Sequence, residues 1–202
     1  MSQLTPEFKL ISEWITPNSR VLDLGCGEGE LLSYLIETYG VTGYGMEIDP
    51  RKNIAAIKKG LNVIQSDLNR HELCDYFDND SFDYVIMTQA LQVVSRPDEL
   101  LRDMLAIGKQ IIITFPNFGH WRNRAQLMFA GQMPKTDTLP YHWFDTPNIH
   151  MCTFKDFEGL CESMQIEVMA RTVVNAQHES TFAMKLAPNL LGEVALYKVQ
   201  KK

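Results

Sequence analysis

Apolar residues occur along the chain in short runs that alternate with longer stretches of helical spacing. The short runs predict seven β-strands, at Arg20–Leu24, Gly43–Ile48, Asn62–Gln65, Asp83–Met87, Gln110–Phe115, Ile166–Val174 and Glu193–Val199. In the other stretches apolar positions recur every three or four residues, which predicts helices at Pro6–Ile15, Glu28–Tyr39, Arg51–Lys59, Asn69–Tyr76, Pro97–Ile107 and Thr153–Met164. Strands that alternate with helices are typical of a parallel α/β sheet, to which the last two strands add a predicted antiparallel pair.

Several helix ends carry residues with special backbone properties. Gly40 and Gly60 each follow a predicted helix, a position that favours glycine because it adopts the left-handed conformation without strain. Thr153 stands three residues before Asp156, a spacing that resembles a helix capping box. These residues support the predicted boundaries.

The composition is that of an ordinary globular protein. Of the 202 residues, 45% are hydrophobic and 22% are charged, both close to the average for globular domains. No uninterrupted apolar run exceeds four residues, and the first ten residues lack the basic and apolar stretches of a signal peptide. A net charge of −6 opposes binding to the phosphates of nucleic acids. We therefore expect one cytoplasmic domain over residues 1–202, with a helix in residues 1–16 and with neither membrane nor nucleic acid as partner.

The four cysteines show no pattern of a metal or redox site. Cys26, Cys74, Cys152 and Cys161 are separated by 48, 78 and 9 residues, so no C-x-x-C pair is present. We expect four buried, reduced thiols and no metal.

Three glycines separate the first predicted strand from the helix that follows it. Gly25, Gly27 and Gly29 allow a tight turn and let the backbone approach a ligand that a β-carbon would block. The dinucleotide fingerprint G-x-G-x-x-G fails because position 30 is Glu, and no P-loop sequence occurs. The loop is therefore either a ligand site of another kind or a simple tight turn.

The stretch Asp23-Leu24-Gly25-Cys26-Gly27-Glu28-Gly29 resembles the first motif of the class I S-adenosylmethionine-dependent methyltransferases. In that family the loop cradles the methionine part of S-adenosylmethionine or S-adenosylhomocysteine, which assigns Asp23, Gly25, Cys26 and Gly27 to cofactor binding. Backbone amides can meet the cofactor carboxylate, while Asp23 supplies negative charge near the ammonium group. The resemblance implies a Rossmann-like fold: a seven-stranded, mostly parallel sheet with helices on both faces and an antiparallel last strand.

Further cofactor contacts are expected at the ends of the next strands. Glu47, followed by Ile48, ends the second strand, where a carboxylate can accept both ribose hydroxyls. The resemblance implies that Asp67 binds the adenine amino group and that Leu68 packs against the ring. It also implies that Gln89, at the end of the fourth strand, lies beside the methionine part.

The segment Asn117–His150 is rich in aromatic residues and histidines. It holds Phe118, Trp121, Phe129, Tyr141, Trp143, Phe144, His120, His142 and His150. Such a segment could be a lid over the cofactor pocket, a surface for another protein, or a packed subdomain. The candidates for substrate or partner contact are Asn117, His120, Trp121, Arg122, His142, Trp143 and His150. The histidines lie 22 and 8 residues apart, which does not fit a metal site.

Much of the chain resembles the MetW family of methionine biosynthesis proteins, over roughly Arg20 to Val174. The specific stretches include Phe115-Pro116-Asn117-Phe118-Gly119-His120-Trp121-Arg122 and Asp145-Thr146-Pro147-Asn148-Ile149-His150-Met151-Cys152-Thr153. The sequence departs from the family pattern at Ser66, where glycine is expected, and at Asn69, where an acid is common. The resemblance implies a role in methionine synthesis and association with homoserine O-acyltransferase.

Two functions therefore remain open, and the fold alone does not choose between them. In the first, the protein binds S-adenosylmethionine and acts as an accessory or regulatory partner of homoserine O-acyltransferase. In the second, it is a methyltransferase for a small molecule, with residues 117–150 as the substrate lid and His120, His142 or His150 as a possible base. An N-P-P-Y motif is absent, and Pro116-Asn117 at the end of the fifth strand matches only part of it. No catalytic residue is therefore identified. A third option is a protein with this fold whose cofactor pocket is unused. The presence of Asp23, Glu47 and Asp67 at three strand ends disfavours it.

Overall fold

The computed structural model describes residues 6–70, 72–175 and 179–202. Its strands are β1 Arg20–Leu24, β2 Thr42–Glu47, β3 Asn62–Gln65, β4 Phe82–Thr88, β5 Gly108–Pro116, β6 Ile166–Val174 and β7 Val194–Lys201. They form one sheet in the order β3-β2-β1-β4-β5-β7-β6. The first five strands pair in parallel, and β7 is antiparallel to both of its neighbours. Strand order reverses between β1 and β4, the point at which such sheets bind ligands beyond their carboxyl ends.

The helices connect these strands. They are α1 Pro6–Ser12, α2 Glu30–Tyr39, α3 Pro50–Lys58, α4 Leu73–Tyr76, α5 Pro97–Ile107, α6 Trp121–Ala125, α7 Phe154–Ser163, α8 Phe182–Leu186 and α9 Pro188–Leu191. A 3-10 turn at Leu68–Arg70 precedes α4, and a π-helix at Gln126–Ala130 continues α6. Within the described ranges, no helix is long and apolar enough to cross a membrane.

Both faces of the sheet are covered by helices. Along β4, Val85 and Met87 belong to one hydrophobic cluster, while Tyr84 and Ile86 belong to the other. This alternation follows from the period of two in a β-strand. The first cluster includes buried side chains of α5 and α7, and the second includes those of α2 and α3. The predicted seven-stranded, mostly parallel sheet with an antiparallel last strand is confirmed.

Most of the predicted elements are present with small shifts. Strands β1, β3 and β6 and helix α5 have the predicted bounds, and the capping box of Thr153 and Asp156 is formed. Helix α2 begins at Glu30 rather than at position 28, because Gly29 adopts a left-handed conformation with φ of 76°. Helix α1 ends at Ser12 rather than at position 15. At this end the Ser12 hydroxyl donates a hydrogen bond to the Lys9 carbonyl.

Some predictions were wrong or fall outside the described residues. The single helix predicted at 69–76 is replaced by the 3-10 turn and α4, with position 71 outside the described ranges. Residues 1–5 of the predicted N-terminal helix are also outside them. All four cysteines are free, but only Cys26 and Cys161 are buried. Cys152 is half-buried, and Cys74 is exposed because Leu73 takes the core position on α4. Helices α6, α8 and α9 and the π-helix were not predicted.

Candidate functional site

The glycine loop after β1 lies at the point where the strand order reverses. Gly25 and Cys26 donate backbone hydrogen bonds of 2.8 and 3.0 Å to the Met46 carbonyl, which ties this loop to β2. A β-carbon on Gly29 would lie 2.1 Å from Leu61 Cδ1, so Gly29 is required for packing. A β-carbon on Gly27 would meet nothing within 4 Å. The open side of Gly27 is therefore the part of the loop that a ligand can approach.

Glu47 joins the loops that follow β1 and β2. Its Oε2 accepts a 2.8 Å hydrogen bond from the Gly27 amide, and its Oε1 accepts one of the same length from the Asp49 amide. Only 7% of the residue is exposed. Each carboxylate oxygen can accept a further hydrogen bond, so this fixed carboxylate is suited to the two hydroxyls of a ribose.

Asp23 is a buried acid whose Oδ1 has no hydrogen-bond partner in the described part of the chain. The residue is 2% exposed, and this burial, together with the charge of Glu47, raises the pKa of Asp23 to about 7. A buried carboxylate without a partner is costly, and a nearby cation would stabilise its charged form. The ammonium group of S-adenosylmethionine fits this requirement.

Cys26 contributes to the loop through packing rather than through a reactive thiol. A β-carbon on Gly45 would lie 2.6 Å from Cys26 Sγ, so the thiol fills the space beside a glycine of β2. Burial, with the negative charges of Asp23 and Glu47, raises the pKa of Cys26 to about 12. The thiolate that reacts as a nucleophile is therefore suppressed.

The end of β3 brings Asp67 and Leu68 to the same edge of the sheet. Asp67 Oδ1 accepts hydrogen bonds of 3.0 Å from both the backbone and the side-chain amide of Asn69. Leu68 packs against the core, whereas Ile48 is 56% exposed beyond β2. An exposed apolar side chain and a half-buried acid at this edge suit the ring and the amino group of an adenine.

At the end of β4, Gln89 contacts an acid from the first helix. Its side-chain amide donates to Glu7 Oε2 over 2.9 Å, and the Thr114 hydroxyl donates to Glu7 Oε1 over 2.6 Å. Gln89 has a φ of 51°, and its backbone amide donates to the Thr114 carbonyl over 3.0 Å. Glu7 and Thr114 were not predicted from the sequence, because no local pattern links positions so far apart along the chain.

A cavity of about 470 Å³ opens beside Gln89. Its lining includes Pro116 at the end of β5 and Asp137, Tyr141 and Asn148 from the aromatic segment. None of the three candidate histidines lines it. The cavity gives space for a second molecule next to the expected position of the methionine part.

Asn117 and His120 are buried at the base of the aromatic segment. Asn117 is 0% exposed, and its side-chain amide donates to the carbonyls of Gly192 (2.7 Å) and Asn189 (3.2 Å). His120 is 5% exposed, with Nε2 at 3.9 Å from Glu193 Oε1, and burial lowers the pKa of His120. These contacts hold the start of α6 against α9.

The other candidates in this segment are nearer to solvent. Trp121 is about half exposed, and the Arg122 guanidinium lies over its ring at 5.6 Å. Trp143 is 75% exposed. His150 Nε2 lies 3.1 Å from the Ser95 carbonyl, so His150 is placed against the loop that follows β4.

His142 lies apart from the other two histidines. Its ring stacks on Phe144 with 5.3 Å between centroids, and its Nε2 lies 3.0 Å from Lys135 Nζ. Within the described residues, no group of three or more His, Cys, Asp or Glu side chains is arranged to hold a metal ion.

Comparisons with known proteins identify the family of the chain. Residues 5–199 match the family described as methionine biosynthesis protein MetW. A bifunctional methionine biosynthesis protein MetXA/MetW from Rhodopirellula baltica is 32% identical over 195 residues, which cover 92% of this chain and 31% of the relative. The chain thus spans about a third of the length of that relative.

Solved structures with the same fold include S-adenosylmethionine-dependent methyltransferases. One from Mesorhizobium loti has a TM-score of 0.69 at 17% identity, covering 97% of this chain and 98% of that one. Another from Archaeoglobus fulgidus has a TM-score of 0.66 at 17% identity, covering 98% and 92%. At these identities the likeness establishes the fold, which is that of the class I methyltransferases.

Proposed function

The chain belongs to the MetW family of methionine biosynthesis proteins, and from this premise we propose that it binds S-adenosylmethionine or S-adenosylhomocysteine and regulates a homoserine O-acyltransferase as its accessory subunit. The observation that carries the cofactor half of the proposal is the buried, unpartnered Asp23 Oδ1 beside the fixed carboxylate of Glu47. Together they present negative charge and hydrogen-bond acceptors where the strand order reverses.

Residues at the ends of three strands would each contact a different part of the cofactor. Asp23 would face the ammonium group, and Glu47 would accept the ribose hydroxyls. Asp67 would accept from the adenine amino group, between the apolar side chains of Ile48 and Leu68. When bound, S-adenosylmethionine supplies an activated methyl group on sulfur.

The acyltransferase half of the proposal is supported by the relative that joins MetXA and MetW in one chain. A covalent fusion holds two modules at high effective concentration, which is useful when the modules act on each other. An accessory role also fits the site, because the candidate histidines are absent from the cavity beside Gln89. A cytoplasmic location is part of this proposal, since acylation of homoserine is a step of amino-acid synthesis.

Two binding experiments test the two halves separately. Isothermal titration with S-adenosylhomocysteine should give saturable binding at one site per chain. Size-exclusion chromatography of the protein with the homoserine O-acyltransferase of the same organism should give a peak that contains both chains. Absence of binding in the titration would contradict the cofactor proposal, and separate elution at micromolar concentrations would contradict the partnership.

The cavity beside Gln89 supports a second candidate function, that of a small-molecule methyltransferase. Methyl transfer needs mainly alignment and exclusion of water, so a missing base does not rule it out. In this case Asp137 and Tyr141 would contact the acceptor. Formation of S-adenosylhomocysteine in the presence of a methionine-pathway metabolite would favour this candidate, and its absence across all such metabolites would count against it.

A further inference from the structure

Exposed apolar side chains are concentrated in the aromatic segment. Of the nineteen large apolar side chains that are exposed in the described part of the chain, ten lie between Trp121 and Met151. The most exposed of these ten are Phe129 at 80%, Trp143 at 75%, Met128 at 72% and Phe144 at 69%. We call these four side chains, together with Leu127, the aromatic platform. Monomeric proteins rarely expose apolar patches of this kind without a binding function.

Polar contacts hold the two parts of the aromatic platform together. The Lys135 backbone amide donates to Gln126 Oε1 over 3.2 Å, and Lys135 Nζ lies 3.0 Å from His142 Nε2. The His142 ring stacks on Phe144, which in turn makes an edge contact with Trp143 at 5.8 Å. Lys135 therefore links the π-helix to the loop at 142–144.

The local backbone also points to function rather than to simple packing. Residues Gln126–Ala130 form a π-helix that ends at Gly131 in the left-handed conformation, with φ of 63°. π-helices are rare, and those that occur are frequently found at functional sites. None of the five residues in this π-helix is buried, so the core does not explain its presence.

The size of the aromatic platform is suited to a protein partner. A Phe or Trp side chain buries roughly 150–250 Å² when it is fully covered, so Phe129, Trp143 and Phe144 together could bury about 500 Å². A specific interface of standard size buries about 800 Å² on each partner. These three side chains would supply more than half of such an interface.

The charges near the aromatic platform are mixed in sign. Lys135 Nζ lies 3.0 Å from His142 Nε2, while Asp145 follows Phe144 and accepts a 2.7 Å hydrogen bond from the His142 amide. Arg122 lies 3.8 Å from Glu193 Oε1. The exposed aromatic side chains, rather than a net charge, are therefore what a partner would recognise.

We propose that the aromatic platform is the surface on which the homoserine O-acyltransferase docks, through an apolar patch of its own. This inference rests on the proposed function, and the MetXA/MetW relative is the reason for choosing this occupant. Phe129 and Trp143 are the central contacts, because large aromatic side chains at the centre of an interface contribute most of its binding energy.

The test measures how two pairs of substitutions change the affinity of this protein for the acyltransferase. Phe129→Ser and Trp143→Ser change the aromatic platform, while Ile54→Ser and Ile57→Ser change exposed residues of α3, near the opposite edge of the sheet. All four side chains are more than half exposed, so the variants should unfold at the temperature of the wild type. The platform variants should bind at least about tenfold more weakly, and the α3 variants should bind like the wild type.

The outcomes separate this inference from the proposed function. Wild-type protein that fails to bind the acyltransferase contradicts the proposed function itself. Wild-type binding that survives both platform substitutions, or that is lost equally in the α3 variants, overturns the docking surface alone. A wild-type dimer that dissociates on Phe129→Ser, or binding to phosphatidylglycerol vesicles without binding to the acyltransferase, would assign the surface to self-association or to lipid instead.

Discussion

The backbone amide of Gly27 donates a 2.8 Å hydrogen bond to Oε2 of Glu47. This contact makes the glycine loop after β1 and the acid at the end of β2 one unit, although the two residues belong to different βα units. If the proposed cofactor site is correct, a change at Glu47 should weaken cofactor binding in two ways: through the lost carboxylate and through the loop that the carboxylate positions.

Glu47→Gln should weaken binding of S-adenosylhomocysteine by about 10- to 100-fold. The amide keeps one acceptor but places a donor against the Gly27 or the Asp49 amide, and hydrogen bonds to a charged group contribute about 1.5–3 kcal/mol. Isothermal titration measures the change. The matched control is Glu28→Gln, because Glu28 is an exposed neighbour of the same loop that pairs with Lys59. Equal loss in both variants would argue against a specific role for Glu47.

Asp23→Asn should remove a pH dependence of folding stability. The folded protein raises the pKa of Asp23 to about 7, above its value of about 4 in an unfolded chain, so the folded state holds the proton more tightly. The stability that this proton provides is fully present below about pH 4 and is lost as the pH rises through about 7. Urea unfolding at pH 5 and pH 8 should show a smaller decrease for the variant. A parallel decrease in both proteins would refute the assignment.

The same acid should make cofactor binding depend on pH. The charged form of Asp23 is the one that attracts an ammonium group, so S-adenosylmethionine should bind about tenfold more tightly at pH 7 than at pH 5.5. In this range the cofactor's own amino group stays protonated. Titration of the Asp23→Asn variant should show weaker binding without this pH dependence, and an equally steep profile in the variant would place the titrating group elsewhere.

Two substitutions in the glycine loop should separate folding from binding. Gly29→Ala should destabilise the protein by about 2 kcal/mol or more, because φ is 76° and the new methyl group would meet Leu61. Gly27→Ala should cost only about 1 kcal/mol, since its surroundings are open, yet it should weaken cofactor binding by placing a methyl group on the open side of the loop. Urea unfolding and titration measure the two effects. Similar results for both variants would contradict this division of roles.

Cofactor and acyltransferase should influence each other's binding. The Gln92 carbonyl accepts hydrogen bonds from Ile149 (2.8 Å) and His150 (3.1 Å), which ties the aromatic segment to the loop after β4. In the same loop, Ala90 Cβ lies 3.5 Å from the position of a β-carbon on Gly25. Saturating S-adenosylhomocysteine should change the affinity for the acyltransferase by about fivefold or more, and the reverse effect must have the same size. Equal affinities with and without S-adenosylhomocysteine would contradict this coupling.

The sequence predicted the parts of this molecule that depend on local pattern. Strands β1 and β3 and helix α5 have the predicted bounds, because apolar spacing and glycine positions determine them within a few residues. The glycine loop and Glu47 were also identified, since each follows directly from its place at a strand end. These features need no knowledge of distant contacts.

The remaining features depend on contacts between distant parts of the chain. Glu7 reaches Gln89 and Thr114 only because α1 packs across the sheet, and no spacing along the sequence encodes that contact. The π-helix was missed for a different reason. Its apolar side chains face solvent, so they lack the buried stripe by which periodicity identifies a helix.

If this protein regulates homoserine O-acyltransferase, as proposed, its effect should appear in the rate of homoserine acylation. The rate should be measured for the acyltransferase alone, with an equal concentration of wild-type protein, and with the Phe129→Ser variant. Wild-type protein should change the turnover, and the variant should leave it near the value of the enzyme alone. An unchanged rate at a wild-type concentration that saturates the acyltransferase would contradict the proposed regulation.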